Sequence, residues 1–278
     1  MTAKKITLPL LFLFLLTAIH AKEIKVLAIG NSFSDDALEH YLYQIAEANG
    51  DTLIIGNLAI GGASLQRHYD NATQNKPAYS YRKIVNGVKE VLAETTLEKG
   101  IKDEEWDYIS LQQVSQNSGL YDTFFPYLPQ LTEYVKQYAT NPDMQLLFHM
   151  TWAYANEASH SGFANYERDQ LQMYHQIVET AQRVTAELGI PIIIPSGTAI
   201  QNARTSSLGD TLCRDGFHLE LTYGRYTAAC TWYEMITGKC VVGNSYKPDT
   251  ITEKDAFIAQ ISAHFAVIFP NTITNLPI

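Results

Sequence analysis

Five short runs in the chain are apolar at nearly every position: Lys25–Gly30, Thr52–Ala59, Tyr108–Gln112, Gln145–Met150 and Pro191–Ile194. A run that is apolar throughout, rather than at alternate positions, suits a strand covered on both faces. Between these runs, apolar residues recur at helical spacing over Ala37–Ala48, Tyr81–Leu97, Tyr127–Tyr138 and Tyr166–Leu188. Asn49-Gly50 and Gly189 supply helix stops, and Asn165 supplies a cap for the fourth helix. Near the end, Thr252-x-x-Asp255 has the form of a capping box. Phe257, Ile258, Ile261 and Phe265 follow on one face, which predicts a closing helix packed on the core. Strands alternating with helices predict an α/β protein of three layers, α/β/α, around a central five-stranded parallel sheet. In such a sheet the ligand site lies beyond the carboxyl ends of the strands, at the switch point.

The first residues change the picture of where the protein acts. Lys4 and Lys5 precede an apolar run, Ile6 to Leu16, and Thr17-Ala18-Ile19-His20-Ala21 offers a small-residue cleavage site. This is the pattern of a secretory signal peptide over residues 1–21, with one domain over residues 22–278. The apolar run is short for a membrane span, and no comparable run follows, so the mature chain is expected to be exported without a membrane span. A formal charge of −9 and a pI near 5.3 argue against nucleic acid as a partner. Cys213, Cys230 and Cys240 have no regular spacing, and no CxxC or paired histidines give a metal-ligand pattern. Neither a metal nor a cofactor is expected.

Two stretches carry candidate chemistry. In Ile29-Gly30-Asn31-Ser32-Phe33-Ser34 a serine stands between the first strand and a helix. A hydroxyl there faces the backbone N–H groups of a helix start, which favour negative charge. It is either a nucleophile or an ordinary N-cap. The stretch is not a P-loop, a GxGxxG fingerprint or a GxSxG elbow. Far away, Asp215 and His218 are separated by two residues in a glycine-bearing loop ahead of a helical pattern that ends at Gly238. A carboxylate so placed can orient an imidazole through one nitrogen and leave the other as a base. The other reading is a solvated loop in which Asp215 caps a turn.

Together, Gly-Asn-Ser after the first strand and Asp-x-x-His before a C-terminal helix resemble the SGNH (GDSL-like) hydrolase superfamily. Asn57-Leu58-Ala59-Ile60-Gly61-Gly62-Ala63-Ser64 resembles its second block, with Gly62 in place of the oxyanion-hole glycine. The third block departs from the pattern. Where that family has Gly-x-Asn-Asp, this chain has Ser110-Leu111-Gln112-Gln113-Val114-Ser115, and Asn31 replaces the usual aspartate. The resemblance implies a flavodoxin-like fold and a catalytic triad of Ser32, His218 and Asp215. It also implies an oxyanion hole formed by the N–H groups of Ser32 and Gly62 and the amide of Gln113, with Gln112 less favoured. Outside the blocks, Trp152 and Tyr154 stand where sugars could stack, and Arg204 or Arg214 could hold a carboxylate or a sugar hydroxyl. His149 and His160 have no partner pattern and read as structural. The expected activity is an exported serine esterase acting on a small-molecule or polysaccharide ester, foremost a carbohydrate O-acetylesterase. The alternatives are a lipase- or thioesterase-type enzyme of the same fold, or a sugar-binding protein that has lost turnover.

Overall fold

β1 (Glu23–Gly30) runs through the middle of the sheet in the computed structural model, which describes residues 23–278; the signal peptide reading, residues 1–21, falls outside them. It pairs in parallel with β2 (Thr52–Ala59) on one side and β5 (Tyr108–Leu111) on the other. Beyond β5 follow β6 (Gln145–His149) and β7 (Ile192–Ile194), both parallel. These are the five runs that lack alternation, and four of them are buried along most of their length because helices cover both faces. The parallel part therefore has the order β2-β1-β5-β6-β7, and the direction of winding reverses between β1 and β5. That crevice is where a doubly wound sheet opens to a ligand.

The stretch Tyr81–Leu97 is not a helix. It forms most of an antiparallel hairpin, β3 (Tyr79–Val85) and β4 (Val88–Thr95), which extends the sheet to seven strands at the β2 edge. Tyr81, Ile84, Val85, Val88, Val91 and Leu92 do fall at helical intervals. The turn decides against them: Asn86 and Gly87 both take positive φ, 50° and 74°, as a two-residue hairpin turn demands. Arg82 and Lys89 of this hairpin reach the Glu39 carboxylate, whose side chain is buried.

The other helices follow the chain. α1 (Ser32–Leu38) and α2 (Leu42–Ala48) replace the single helix expected over Ala37–Ala48, and the break between them places Glu39 against Asn57, Arg82 and Lys89. α3 (Leu65–Thr73), α4 (Leu97–Lys102) and α5 (Tyr127–Tyr138) pack together as one group. α6 (Gln170–Leu188) starts later than expected, because Asp169 rather than Asn165 caps it; Gly189 ends it with φ of 62°. α7 (Ser196–Arg204), α8 (Tyr223–Thr237) and α9 (Glu253–Ile268) form the second group, in which α8 also meets α1 and α2. The capping box at Thr252 and Asp255 is present at the start of α9. Among the described residues no helix is long and apolar enough to cross a membrane.

Candidate active site

Ser32 is the first residue of α1, and the cap of that helix is Asn31, whose Oδ1 accepts the Phe33 N–H at 3.0 Å. The serine hydroxyl is thus not needed as a cap. It points instead to His218, with Oγ 2.8 Å from Nε2. On the far side of the ring, His218 Nδ1 lies 2.7 Å from Asp215 Oδ2. An ionised carboxylate can only accept, so Nδ1 carries the proton and Nε2 accepts from the serine. Asp215 Oδ1 also accepts the backbone N–H groups of Phe217 (3.2 Å) and His218 (2.8 Å), so the carboxylate caps its own turn while it orients the ring. Partial burial pushes the Asp215 carboxyl up, but the bonds from the His218 ring and these two N–H groups outweigh it and hold the group below its ordinary value. The stability from those bonds is present above the ordinary carboxylate range and is lost as pH falls through the lowered value.

The loop that carries Asp215 and His218 is fastened on several sides. Trp152 Nε1 donates to the Phe217 carbonyl at 2.8 Å, and the Ala155 N–H donates to the Gly216 carbonyl at 2.8 Å. Asp36, one turn along α1 from Ser32, accepts the Leu219 N–H at 2.9 Å and pairs with the guanidinium groups of Arg214 and Arg225. Arg214 in turn donates to the Leu219 carbonyl. The helix bearing Ser32 and the loop bearing His218 are therefore joined through one buried carboxylate.

Gly62 belongs to a turn closed by the Ala63 N–H on the Ile60 carbonyl, and it lines the same cleft as Ser32 and His218. A Cβ at Gly62 would meet nothing within 4 Å, so the reason for glycine is its φ of 63° rather than close approach. Close approach governs Gly30 instead, where a Cβ would lie 2.6 Å from the Ser34 hydroxyl and 2.9 Å from the Gln112 amide.

The structure withdraws Gln113 from the oxyanion hole. Its Oε1 accepts two backbone N–H groups, from Leu65 (3.0 Å) and Val114 (2.8 Å), which fixes the orientation of the amide. Its Nε2 then donates to the Thr123 carbonyl at 3.1 Å, away from the cleft. Gln112 is equally occupied: Nε2 donates to Asn31 Oδ1 (2.9 Å), and Oε1 faces His149 Nδ1 (2.9 Å). A cleft residue that the sequence reading did not single out is Gln116, directly after that block. It lines the cleft, and its Nε2 makes no hydrogen bond to any described residue.

Trp152 and Arg204 also have other tasks. Trp152 is fully buried and stacks on Phe33, centroids 4.3 Å apart, so no sugar can reach its face. Arg204 is buried, pairs with Asp210 at 2.9 Å and donates to Ala153 and Gln201. His149, expected to be structural, is fully buried between Gln112 and Ser196, and burial lowers its pKa to about 3. His160 was also read as structural; it does accept the Gly162 N–H, yet it lines the cleft together with Phe217, Val114 and Ser115. The cleft holds about 180 Å³. Larger hollows of about 400 and 410 Å³ lie elsewhere and share none of these residues.

A doubly wound sheet with a serine after its first strand and a histidine ahead of a C-terminal helix is the SGNH-hydrolase fold. A structure from Slackia heliotrinireducens, assigned provisionally to the SGNH hydrolases, superposes with a TM-score of 0.52 at 20% identity, over 77% of this chain and 99% of that one. Residues 25–266 match the family described as a domain of unknown function, DUF4886, and the chain belongs to that family. A crystal structure of a DUF4886 protein from Bacteroides uniformis is 50% identical, with a TM-score of 0.90 over 92% of this chain and 98% of that one. A catalytic mutant of an acetylxylan esterase from Geobacillus stearothermophilus gives a TM-score of 0.48 at 13% identity, over 77% and 94% of the two chains. No curated protein matches the sequence.

Proposed function

We propose that this chain is an exported serine esterase that removes short acyl groups, with O-acetylated carbohydrates as the substrate class. The observation that carries this reading is the continuous relay from Ser32 Oγ through His218 to Asp215 at the switch point of the sheet. In the reaction, Ser32 Oγ attacks the ester carbonyl carbon while His218 Nε2 takes its proton. The resulting oxyanion collapses, the alcohol leaves with the proton from His218, and an acyl-serine remains. Water, deprotonated by the same imidazole, repeats the sequence and frees the acid. The N–H groups of Ser32 and Gly62 stand at the cleft as oxyanion donors, and Gln116 takes the place foreseen for Gln113.

A cleft of about 180 Å³ suits an acetyl group better than a long acyl chain. The polar groups around it, Ser115, Gln116 and His160, suit an alcohol rich in hydroxyls. The signal-peptide pattern over residues 1–21 is what supports export. Acetate release from acetylated oligosaccharides, set against hydrolysis of long-chain esters and thioesters, tests the substrate class. Preference for the acetylated glycans is expected; turnover confined to long-chain esters or thioesters would replace this reading with a lipase or thioesterase.

The two glutamines should separate in one experiment. Gln116→Ala is expected to lower kcat by on the order of 10²-fold with little change in unfolding midpoint. Gln113→Ala strands two buried N–H groups, each costing about 1–3 kcal/mol, so its main effect should appear in denaturant unfolding. A larger kcat loss in Gln113→Ala than in Gln116→Ala would return the oxyanion role to Gln113.

A further inference from the structure

The C-terminal end of α8, the segment after it and the middle of α9 bring together three metal-ligating side chains of different chemistry. Glu234 Oε1 lies 2.7 Å from His264 Nδ1, and Cys240 Sγ lies 3.5 Å from the same nitrogen. The three donor atoms all fall within 4.8 Å of one another. We propose that Glu234, Cys240 and His264 bind a zinc ion that clips α8 to α9, with water or a small anion as the fourth ligand.

The spacing supports this. Tetrahedral zinc, with bonds of about 2.3 Å to sulfur and about 2.0–2.1 Å to nitrogen and oxygen, separates a thiolate from an imidazole nitrogen by about 3.5 Å, and the nitrogen from a carboxylate oxygen by about 3.3 Å. The first separation is already met. The second requires Glu234 and His264 to part from 2.7 Å by about 0.6 Å, and the cation replaces the hydrogen bond between them. Glu234 is oriented before any ion arrives, because its other oxygen, Oε2, accepts the Val241 N–H at 2.9 Å. Such an outer bond on a ligating carboxylate is the usual means of fixing its direction. The carboxylate and the thiolate formed on binding balance the two positive charges of zinc. Nearby Lys239 does not compete, since its ammonium group is held by Asp51 at 2.5 Å. The thiol is free and exposed, so an ion has access. Thiolate, imidazole and carboxylate together select zinc over calcium or magnesium, which take oxygen ligands. Spacing along the chain does not reveal the site, because Glu234, Cys240 and His264 lie on three separate segments.

The test uses the mature chain, stripped with a chelator and titrated with zinc against a chromogenic competitor. One equivalent should bind, the melting temperature should rise, and cobalt(II) in its place should show a thiolate-to-metal charge-transfer band in the near ultraviolet. Cys240→Ser, at an exposed position, is expected to fold normally, lose the charge-transfer band and weaken zinc binding at least tenfold; His264→Ala should do the same. Absence of a tight equivalent in the native chain would overturn the proposal. So would binding that both variants retain unchanged, since that would mark adventitious sites elsewhere.

Discussion

Ser32→Ala is expected to lower hydrolysis of an activated acetyl ester by on the order of 10⁴- to 10⁶-fold, and His218→Ala by a similar factor. The two losses should not multiply in the double variant, because the hydroxyl and the imidazole act in one proton transfer and either loss disables it. Residual turnover should remain above the uncatalysed rate, since the backbone donors at Ser32 and Gly62 persist. Asp215→Ala should cost less than either. It removes the group that holds Nδ1–H, but the ring keeps Phe33 and Phe217 as neighbours, with centroids 5.9 and 4.2 Å away. KM should change little in all three variants, since none of these side chains grips the substrate before attack.

The second large effect is expected at Asp36, which does not touch the reacting atoms. Its side chain is 1% exposed and meets Arg214, Arg225 and the Leu219 N–H. Asp36→Ala leaves the largely buried Arg225 guanidinium and the partly exposed Arg214 without their carboxylate, and one buried N–H without its acceptor. Removal of one partner from such a buried arrangement costs about 3–5 kcal/mol, a large share of the stability of a typical domain. A marked fall in the urea midpoint should therefore accompany a fall in kcat, measured at a temperature where the variant remains folded. Asp36→Asn keeps the shape and the acceptor for Leu219, and should fall between. Native stability in Asp36→Ala would mean that the helix of Ser32 and the loop of His218 are joined by other contacts.

The distance between sequence and structure differs by element, for reasons that can be named. The five parallel strands were legible because cover on both faces keeps the runs mostly apolar, with few polar positions to impose an alternation. The hairpin was not, because Tyr81, Ile84, Val88 and Val91 happen to fall at helical steps, and only Asn86-Gly87 betrays the turn. Ser32, Asp215 and His218 were legible because a serine at a strand-to-helix junction and an Asp-x-x-His pair ahead of a helix are local patterns, each visible without knowing how the chain folds. The departures at Asn31 and Gln112 find a joint explanation only in three dimensions. Asn31 Nδ2 donates to the Ala63 carbonyl at 3.0 Å, while Oδ1 accepts from both Phe33 N–H and Gln112 Nε2. An ionised aspartate at 31 could not make the first of these bonds. Asn31 thereby ties the helix of Ser32 to the Gly62 turn and to the end of β5. Gln113 and Trp152 were misplaced because adjacency along the chain does not say which way a side chain turns at a strand end. Arg204 was misplaced because its partner, Asp210, lies beyond the end of α7, where spacing alone pairs nothing. Gln116 was overlooked because nothing in its local sequence marks it out from Gln112 and Gln113; only the folded loop brings it to the cleft.

Covalent capture interrogates the relay most directly. Incubation with a serine-directed fluorophosphonate, followed by intact-mass and peptide analysis, should show one adduct per chain on the peptide that contains Ser32, much slower capture in His218→Ala and none in Ser32→Ala. A folded native chain that stays unmodified, or one that takes the label on a different residue, would contradict the assignment of Ser32 as nucleophile.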